Sequence, residues 1–133
     1  MANLTVINPW TWGDEHGFVQ AVESRGMTRI LHCAGQGSLD EHGRILHVGD
    51  MAAQVREALN NVETVLRAAG LSLADVTRLN YYTTDMDAYN AVLGAEVMPR
   101  LRDAGCRPSG VLIGVTRLAH ADMLIEIEAT AVT

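Results

Sequence analysis

Apolar residues recur at steps of three and four positions from residue 50 to residue 69, the clearest periodic pattern in the chain. This spacing is typical of an amphipathic helix that buries one face. Asp50 can accept a backbone N–H at the start of such a helix, and Gly70 can adopt the left-handed conformation that closes its end. The sequence therefore predicts a helix over 50–69, whose buried stripe is Met51, Val55, Leu59, Val62 and Leu66.

A second helix is predicted over 87–103. Tyr89, Leu93, Val97 and Leu101 share one stripe there. Pro99 lies inside the stretch, and a proline within a helix removes a hydrogen bond and clashes with the preceding turn. We therefore expect this helix to bend or break near Pro99.

Segments rich in β-branched and aromatic residues, separated by turn residues, predict the strands. They cover about residues 19–23, 29–35, 77–84, 111–118 and 123–132, with an additional edge strand at 4–7. The resulting order of strands and helices predicts an α+β fold, in which two helices pack on one face of a mixed six-stranded sheet. A length of 133 residues fits a single domain, 1–133. The uncovered sheet face predicts association with further copies of the chain.

The charge balance restricts the partners. Ten Lys and Arg residues against sixteen Asp and Glu residues give a net charge of −6, which disfavours nucleic acid and anionic lipid surfaces. Cys33 and Cys106 form no CxxC pair, and neither a secretory leader nor a membrane-spanning stretch is present. We therefore expect a cytoplasmic protein that binds neither nucleic acid nor membranes.

The last predicted strand carries the most suggestive chemistry. Alternation places Glu126 and Glu128 on one face of the strand, with side chains about 7 Å apart. One of these carboxylates could activate a water molecule as a general base, whereas the alternative is a solvated sheet face. The five histidines lie in different elements and match no metal-site spacing, and no cofactor motif is complete. We expect no cofactor and no metal.

Several stretches together resemble the RidA/YjgF family, also called the endoribonuclease L-PSP family. They are GFVQAV at 17–22, HCAGQGSLDEHGRI at 32–45, QVREALNNVETVLRAAGLSLADV at 54–76, YYTTDMDAYNAV at 81–92 and IEIEATAV at 125–132. The resemblance implies a chorismate-mutase-like α+β subunit that forms a homotrimer, with small-molecule clefts between subunits. It also implies hydrolysis of reactive enamines and imines such as 2-aminoacrylate, without an added cofactor.

The resemblance also implies where the ligand lies, and where this chain departs from the family. Gly110 occupies the position of the arginine that grips the substrate carboxylate, Phe18 that of a tyrosine, and Leu93 that of an asparagine. Arg107 could replace the arginine if its loop were shifted. Glu126 matches the glutamate associated with water, which makes it the catalytic candidate. The substrate-binding candidates are Phe18, Gly35, Leu93, Arg107, Gly110 and Leu112.

Three functions stay open from the sequence. The first is hydrolysis of an imine, an enamine or a related bond with an altered substrate preference, because the loss of a bidentate arginine contact argues against ordinary 2-aminoacrylate deamination. The second is binding of a metabolite or a partner without catalysis. The third is ribonuclease activity, against which the acidic charge balance argues.

Overall fold

The structure is a computed structural model and describes residues 2–133. Within this range the chain forms six strands and three α-helices, with short 3-10 turns at Asp14–His16 and Leu73–Asp75. The elements in chain order are β1 (Asn3–Ile7), β2 (Ala21–Arg25), β3 (Ile30–His32), α1 (Met51–Ala68), β4 (Val76–Thr83), α2 (Met86–Glu96), α3 (Met98–Ala104), β5 (Leu112–Gly114) and β6 (Ile125–Val132).

The strands form a mixed arrangement with the helices on one side. Strands β3, β6, β4 and β5 lie side by side in that order, and β1 pairs with β2 as an antiparallel ladder of its own. Only β4 and β5 run parallel; β6 is antiparallel to both of its neighbours. The predicted α+β class, with helices packed on a mixed set of six strands, is confirmed.

Helix α1 has the predicted ends and the predicted buried face. The Asp50 carboxylate accepts the N–H of Ala53 at 3.0 Å, and Gly70 has a φ of 75° just beyond the helix. This φ is costly for any residue with a Cβ atom, which is why a glycine ends the helix. Five apolar side chains of the helix are completely buried: Val55, Ala58, Leu59, Val62 and Leu66.

The predicted second helix is two helices. Val97 ends α2 and precedes α3. Pro99 lies in the first turn of α3, where a backbone N–H has no acceptor within the helix, so its absence there costs little. The prediction of one element over 87–103 is therefore corrected, while the expected break near Pro99 is confirmed.

Four strands differ from their predicted bounds by two residues or more, and one of them is β6, which begins at Ile125 instead of 123. Strand β5 ends at Gly114 instead of 118, and after the Val115 N–H bonds to the Thr83 carbonyl O at 2.9 Å the chain leaves the sheet. Strand β2 starts two residues late, because the Val19 N–H bonds to the Pro108 carbonyl O at 2.9 Å and not to β1. Beyond His32, an extra residue on the β3 side interrupts the ladder with β6, so that Gln36 lies opposite Ile127.

The four-stranded sheet has two unlike faces. Its inner face packs against the helices and carries the core residues of β4 and β6, including Leu79, Ile125 and Ile127, each at most 1% exposed. We call the opposite side the outer face. It carries Glu126 and Glu128 and remains partly exposed.

Candidate functional site

A cavity of about 320 Å3 lies between the N-terminal segment, α2 and the edge of the sheet formed by β4 and β5. No Lys, Arg, Asp or Glu is found among the residues of 2–133 that line it. We therefore call it the neutral cavity. Its lining includes four of the predicted site residues, Phe18, Leu93, Gly110 and Leu112, together with Trp12, His16, Gly17, Leu79, Tyr81, Tyr89, Asn90, Pro108, Ser109 and Val111.

The backbone at Gly110 leaves no room for a side chain. Hydrogen bonds on both sides hold it against β4, because the Ser109 carbonyl O accepts the Leu79 N–H at 3.0 Å and the Val111 carbonyl O accepts the Tyr81 N–H at 2.9 Å. A Cβ atom at Gly110 would overlap the carbonyl O of Leu79. An arginine cannot occupy this position unless β5 moves away from β4.

Two tyrosines lie at the inner side of the neutral cavity. The rings of Tyr81 and Tyr89 are 5.8 Å apart, centre to centre. Burial raises the pKa of Tyr81 well above its ordinary value, with Tyr89 and Cys106 adding to the effect, and burial also raises the pKa of Tyr89. Both side chains therefore remain neutral phenols at physiological pH. The Tyr81 hydroxyl is completely buried and has no hydrogen-bond partner within residues 2–133.

Phe18 lines two cavities. Its ring meets the exposed ring of Trp12 edge to face, with centres 5.4 Å apart. A second cavity of about 390 Å3 shares Gly17 and Phe18 with the neutral cavity, but it is lined by Asp14, Arg102 and Arg107 as well as by apolar side chains. We call it the charged cavity.

Arg107 lines the charged cavity and not the neutral one. Its Nη2 atom lies 3.5 Å from the Asp14 Oδ1 atom. The Asn8 side chain also donates to that oxygen, at 2.9 Å. In a single chain, Arg107 therefore does not take the place of a cation beside Gly110.

Gly35 and Glu126 lie together on the outer face. A Cβ atom at Gly35 would overlap the Glu126 carboxylate, so the glycine allows this carboxylate to lie directly against the backbone. Neither residue lines the neutral cavity. Apart from Arg107, which lines the charged cavity, the predicted site residues thus form two separate groups, one in the neutral cavity and one on the outer face.

Glu128, also on the outer face, is held by its neighbours. The Tyr82 hydroxyl and the Asn80 amide both donate to its Oε1 atom, the amide at 2.9 Å. These two bonds, the one from Tyr82 first, lower the pKa of Glu128, with Arg78 adding a smaller effect. The Glu128 carboxylate is therefore bound by two residues of β4, whereas Glu126, two residues away, takes no part in these hydrogen bonds.

Helix α1 holds the segment that follows Gly35. The Asn61 amide donates to the carbonyl O atoms of Gly37 and Leu39, at 2.9 and 3.0 Å. The Gln54 amide, completely buried, donates to Asp122 and accepts the N–H of Leu124, both at 2.9 Å. These bonds fix the approach to Gly35 and to the start of β6, and hence the position of Glu126.

Within residues 2–133 no three His, Cys, Asp or Glu side chains are grouped so that they could hold a metal ion. None of the helices in that range combines the length and the hydropathy that a bilayer crossing requires.

Sequence reasoning missed most of the cavity lining, Tyr81 above all. A signal was present, because Leu79 and Tyr81 alternate with Asn80 and Tyr82 along β4, which puts Tyr81 on the core-facing side. The absence of a partner for its hydroxyl depends on the packing of α2 and α3, which the sequence pattern does not define.

The fold is of the α+β class, and the neutral cavity is large enough for a small molecule. Residues 13–133 match the family model described as Endoribonuclease L-PSP. Over 105 residues the chain is 38% identical to the 3-aminoacrylate deaminase RutC of Acinetobacter baylyi, covering 77% of this chain and 78% of that protein. The chain belongs to the endoribonuclease L-PSP family, also known as the RidA/YjgF family.

Solved structures agree with this assignment. A Rid family protein of unknown function from Yersinia pestis, YyfB, superposes with a TM-score of 0.88 at 38% identity, covering 98% of this chain and 99% of that one. TdcF from E. coli, solved with bound serine, gives a TM-score of 0.70 at 29% identity, with 87% of each chain covered.

Proposed function

We propose that this protein hydrolyses an imine or enamine that carries no carboxylate, in clefts completed between three copies of the chain. The observation that carries the proposal is the lining of the neutral cavity, which includes no Lys or Arg side chain within residues 2–133. A carboxylate entering such a cavity would lose its hydration without gaining an opposite charge. A neutral substrate avoids that loss.

The Gly110 backbone supports the same preference. The resemblance to the family places the carboxylate-binding arginine at this position, and here a Cβ atom would overlap the Leu79 carbonyl O. Arg107 is paired with Asp14 in the charged cavity. The replacement of the arginine by Gly110 is therefore accompanied by a backbone position that leaves no room for a side chain.

The separation of the two groups of site residues supports assembly. Gly35 and Glu126 would reach a ligand in the neutral cavity only if a second copy brought its outer face to the cavity of the first. The edge strand β5 offers an apolar surface for this contact, because Val111, Leu112 and Ile113 are each about 40% exposed. A homotrimer with three equivalent clefts is the arrangement that we propose.

The reaction uses water and requires no cofactor. Glu126 accepts a proton from a water molecule, whose oxygen then bonds to the imine carbon and gives a carbinolamine. Glu126 passes this proton to the nitrogen, which completes the carbinolamine, and then carries the hydroxyl proton to the nitrogen as the C–N bond breaks, so that ammonia and a carbonyl product are released. The 3-aminoacrylate deaminase RutC, a deaminase of the same family, supports this class of reaction.

The test compares two glutamates on the same sheet face. Glu126→Gln should reduce kcat on a panel of neutral imines by at least about 100-fold, the usual range for loss of a general base. Glu128→Gln is the matched control, because Glu128 is held by Tyr82 and Asn80 and has no part in the proposed mechanism. Equal turnover in wild type and Glu126→Gln would contradict the proposal.

Binding without catalysis is the second candidate function. One observation favours it: the neutral cavity contains no carboxylate of its own, and its histidine, His16, is largely exposed. A metabolite that raises the melting temperature, without turnover of any imine in the panel, would establish this function in place of the first.

We also propose that the protein works in a reducing compartment such as the cytoplasm. Both of its cysteines are free and buried. Burial raises the pKa of Cys106 to about 12 and also raises that of Cys33. Thiols in this state are poor nucleophiles, which supports a mechanism based on water and not on a covalent intermediate.

A further inference from the structure

The Tyr81 hydroxyl is a completely buried polar group without a hydrogen-bond partner. Only two completely buried side-chain N or O atoms in residues 2–133 lack a hydrogen-bond partner, namely the Gln20 Nε2 atom and the Tyr81 hydroxyl. Gln20 lines neither cavity, whereas Tyr81 belongs to the lining of the neutral cavity. A buried polar group without a partner is destabilising, and native proteins contain few of them.

Packing alone does not explain a tyrosine at this position. The ring of Tyr81 packs beside that of Tyr89 within the core, as a phenylalanine ring would. Phenylalanine would fill nearly the same volume without burying an unpaired hydroxyl. The hydroxyl thus lowers the stability of the free protein, and no group within residues 2–133 satisfies it.

Ser109, His16 and Asn90 also line the neutral cavity, but their polar groups have either a hydrogen-bond partner or access to solvent. Ser109 already donates to the Thr77 carbonyl O at 3.1 Å. His16 and Asn90 are exposed and can be hydrated by solvent. The Tyr89 hydroxyl is not among the completely buried atoms that lack a partner. Of the residues 2–133 that line the neutral cavity, Tyr81 alone has such an atom.

We propose that the Tyr81 hydroxyl is the polar anchor of the neutral cavity, donating a hydrogen bond to a carbonyl oxygen or imine nitrogen of an uncharged ligand. This inference rests on the proposed function for the location of the site, and it narrows the ligand class. The ligand has an apolar body that fits beside Phe18 and Leu93 and one hydrogen-bond acceptor directed towards β4. Its arrival, with a small movement of the cavity wall, gives the hydroxyl the partner that it lacks.

The experiment uses three small probes of similar shape: acetophenone, which has a neutral acceptor, ethylbenzene, which has none, and benzoate, which is charged. Dissociation constants are measured by ligand-observed NMR for the wild-type protein and for Tyr81→Phe and Tyr89→Phe. Tyr89→Phe is the matched control, because it removes the same atom from a neighbouring ring that lines the same cavity. Melting temperatures are recorded for all three proteins.

The wild type should bind acetophenone about 5- to 10-fold more tightly than ethylbenzene, which corresponds to one net hydrogen bond, and should bind benzoate most weakly. Tyr81→Phe should abolish the preference for acetophenone, and Tyr89→Phe should retain it. Because Tyr81→Phe removes a hydroxyl that has no partner, its melting temperature should be a few degrees higher than that of the wild type.

Four results would overturn the assignment. These are equal binding of acetophenone and ethylbenzene, binding of neither, the same loss in Tyr89→Phe as in Tyr81→Phe, or a lower melting temperature of Tyr81→Phe. The measurement involves no turnover and is thus independent of Glu126. A preference for acetophenone that depends on Tyr81, in a protein that hydrolyses no imine, would support the anchor and remove the proposed hydrolysis.

Discussion

Side-chain alternation in β6 is enough to assign Glu126 and Glu128 to one face and Ile125 and Ile127 to the core, as the structure has them. The cap at Asp50 follows equally well from the sequence, because capping depends on residues within a few positions of each other. The crowding at Gly110 does not follow from it. That crowding arises from Leu79, thirty-one residues earlier, and depends on how closely β5 approaches β4.

This crowding gives a prediction with a built-in control. Gly110→Ala should lower the free energy of unfolding by about 1 to 3 kcal/mol, because the added methyl group forces β5 away from β4. Gly94→Ala should raise it by about 0.5 to 1 kcal/mol, since Gly94 lies within α2 and a Cβ atom there meets nothing within 4 Å. Urea denaturation of both variants measures the two changes. Equal effects of the two substitutions would show that β5 is not held as described.

At the scale of elements, periodicity finds the helices and most of the strands, but it does not fix where they end. The length of β5 is set by its partner β4 and by the point at which the chain leaves the sheet after Val115. Residues 111–118 are rich in β-branched side chains, which favour a strand whether or not a partner is present. The break between α2 and α3 was predictable, since Pro99 has a purely local effect.

The pairing of β4 with β6 predicts a pH dependence. The pKa of Glu128 is lowered in the folded protein, so its contribution to stability is complete above the unfolded pKa of about 4.3 and is lost as the pH falls through the lower folded value. The difference in the free energy of unfolding between wild type and Glu128→Gln should thus stay constant from about pH 7 to about pH 5.5, and should shrink below about pH 4. Denaturation at a series of pH values tests this. A difference that persists unchanged to pH 3 would contradict the assigned bonds from Tyr82 and Asn80.

At the scale of the whole molecule, the sequence predicted a set of site residues but not that one chain would hold most of them in two separate groups. Glu126 and Gly35 lie on the outer face, whereas Phe18, Leu93, Gly110 and Leu112 lie in the neutral cavity. The family resemblance pointed to clefts between subunits. The exposed apolar strand β5 supplies a surface on which such a cleft could close.

Assembly is therefore the prediction at this scale. Light scattering coupled to size exclusion should give a mass three times the 14.4 kDa of the chain. Ile113→Arg places a charge on the outer face, opposite Tyr82, and should shift the protein towards monomer with loss of turnover. Ala95→Arg, at an exposed position of α2, should leave the mass unchanged. A wild-type protein that is monomeric at micromolar concentration would remove the proposed cleft.

The central claim is that the cleft of this protein accepts a substrate without a carboxylate. It is tested most directly by the ratio of kcat/KM for two substrates that differ in that group alone, a 2-imino acid and the corresponding 2-imino amide. The account predicts that the wild-type protein prefers the amide by at least about 10-fold, since the acid would enter the neutral cavity without a cationic partner. Hydrolysis of the acid at an equal or greater kcat/KM would contradict it.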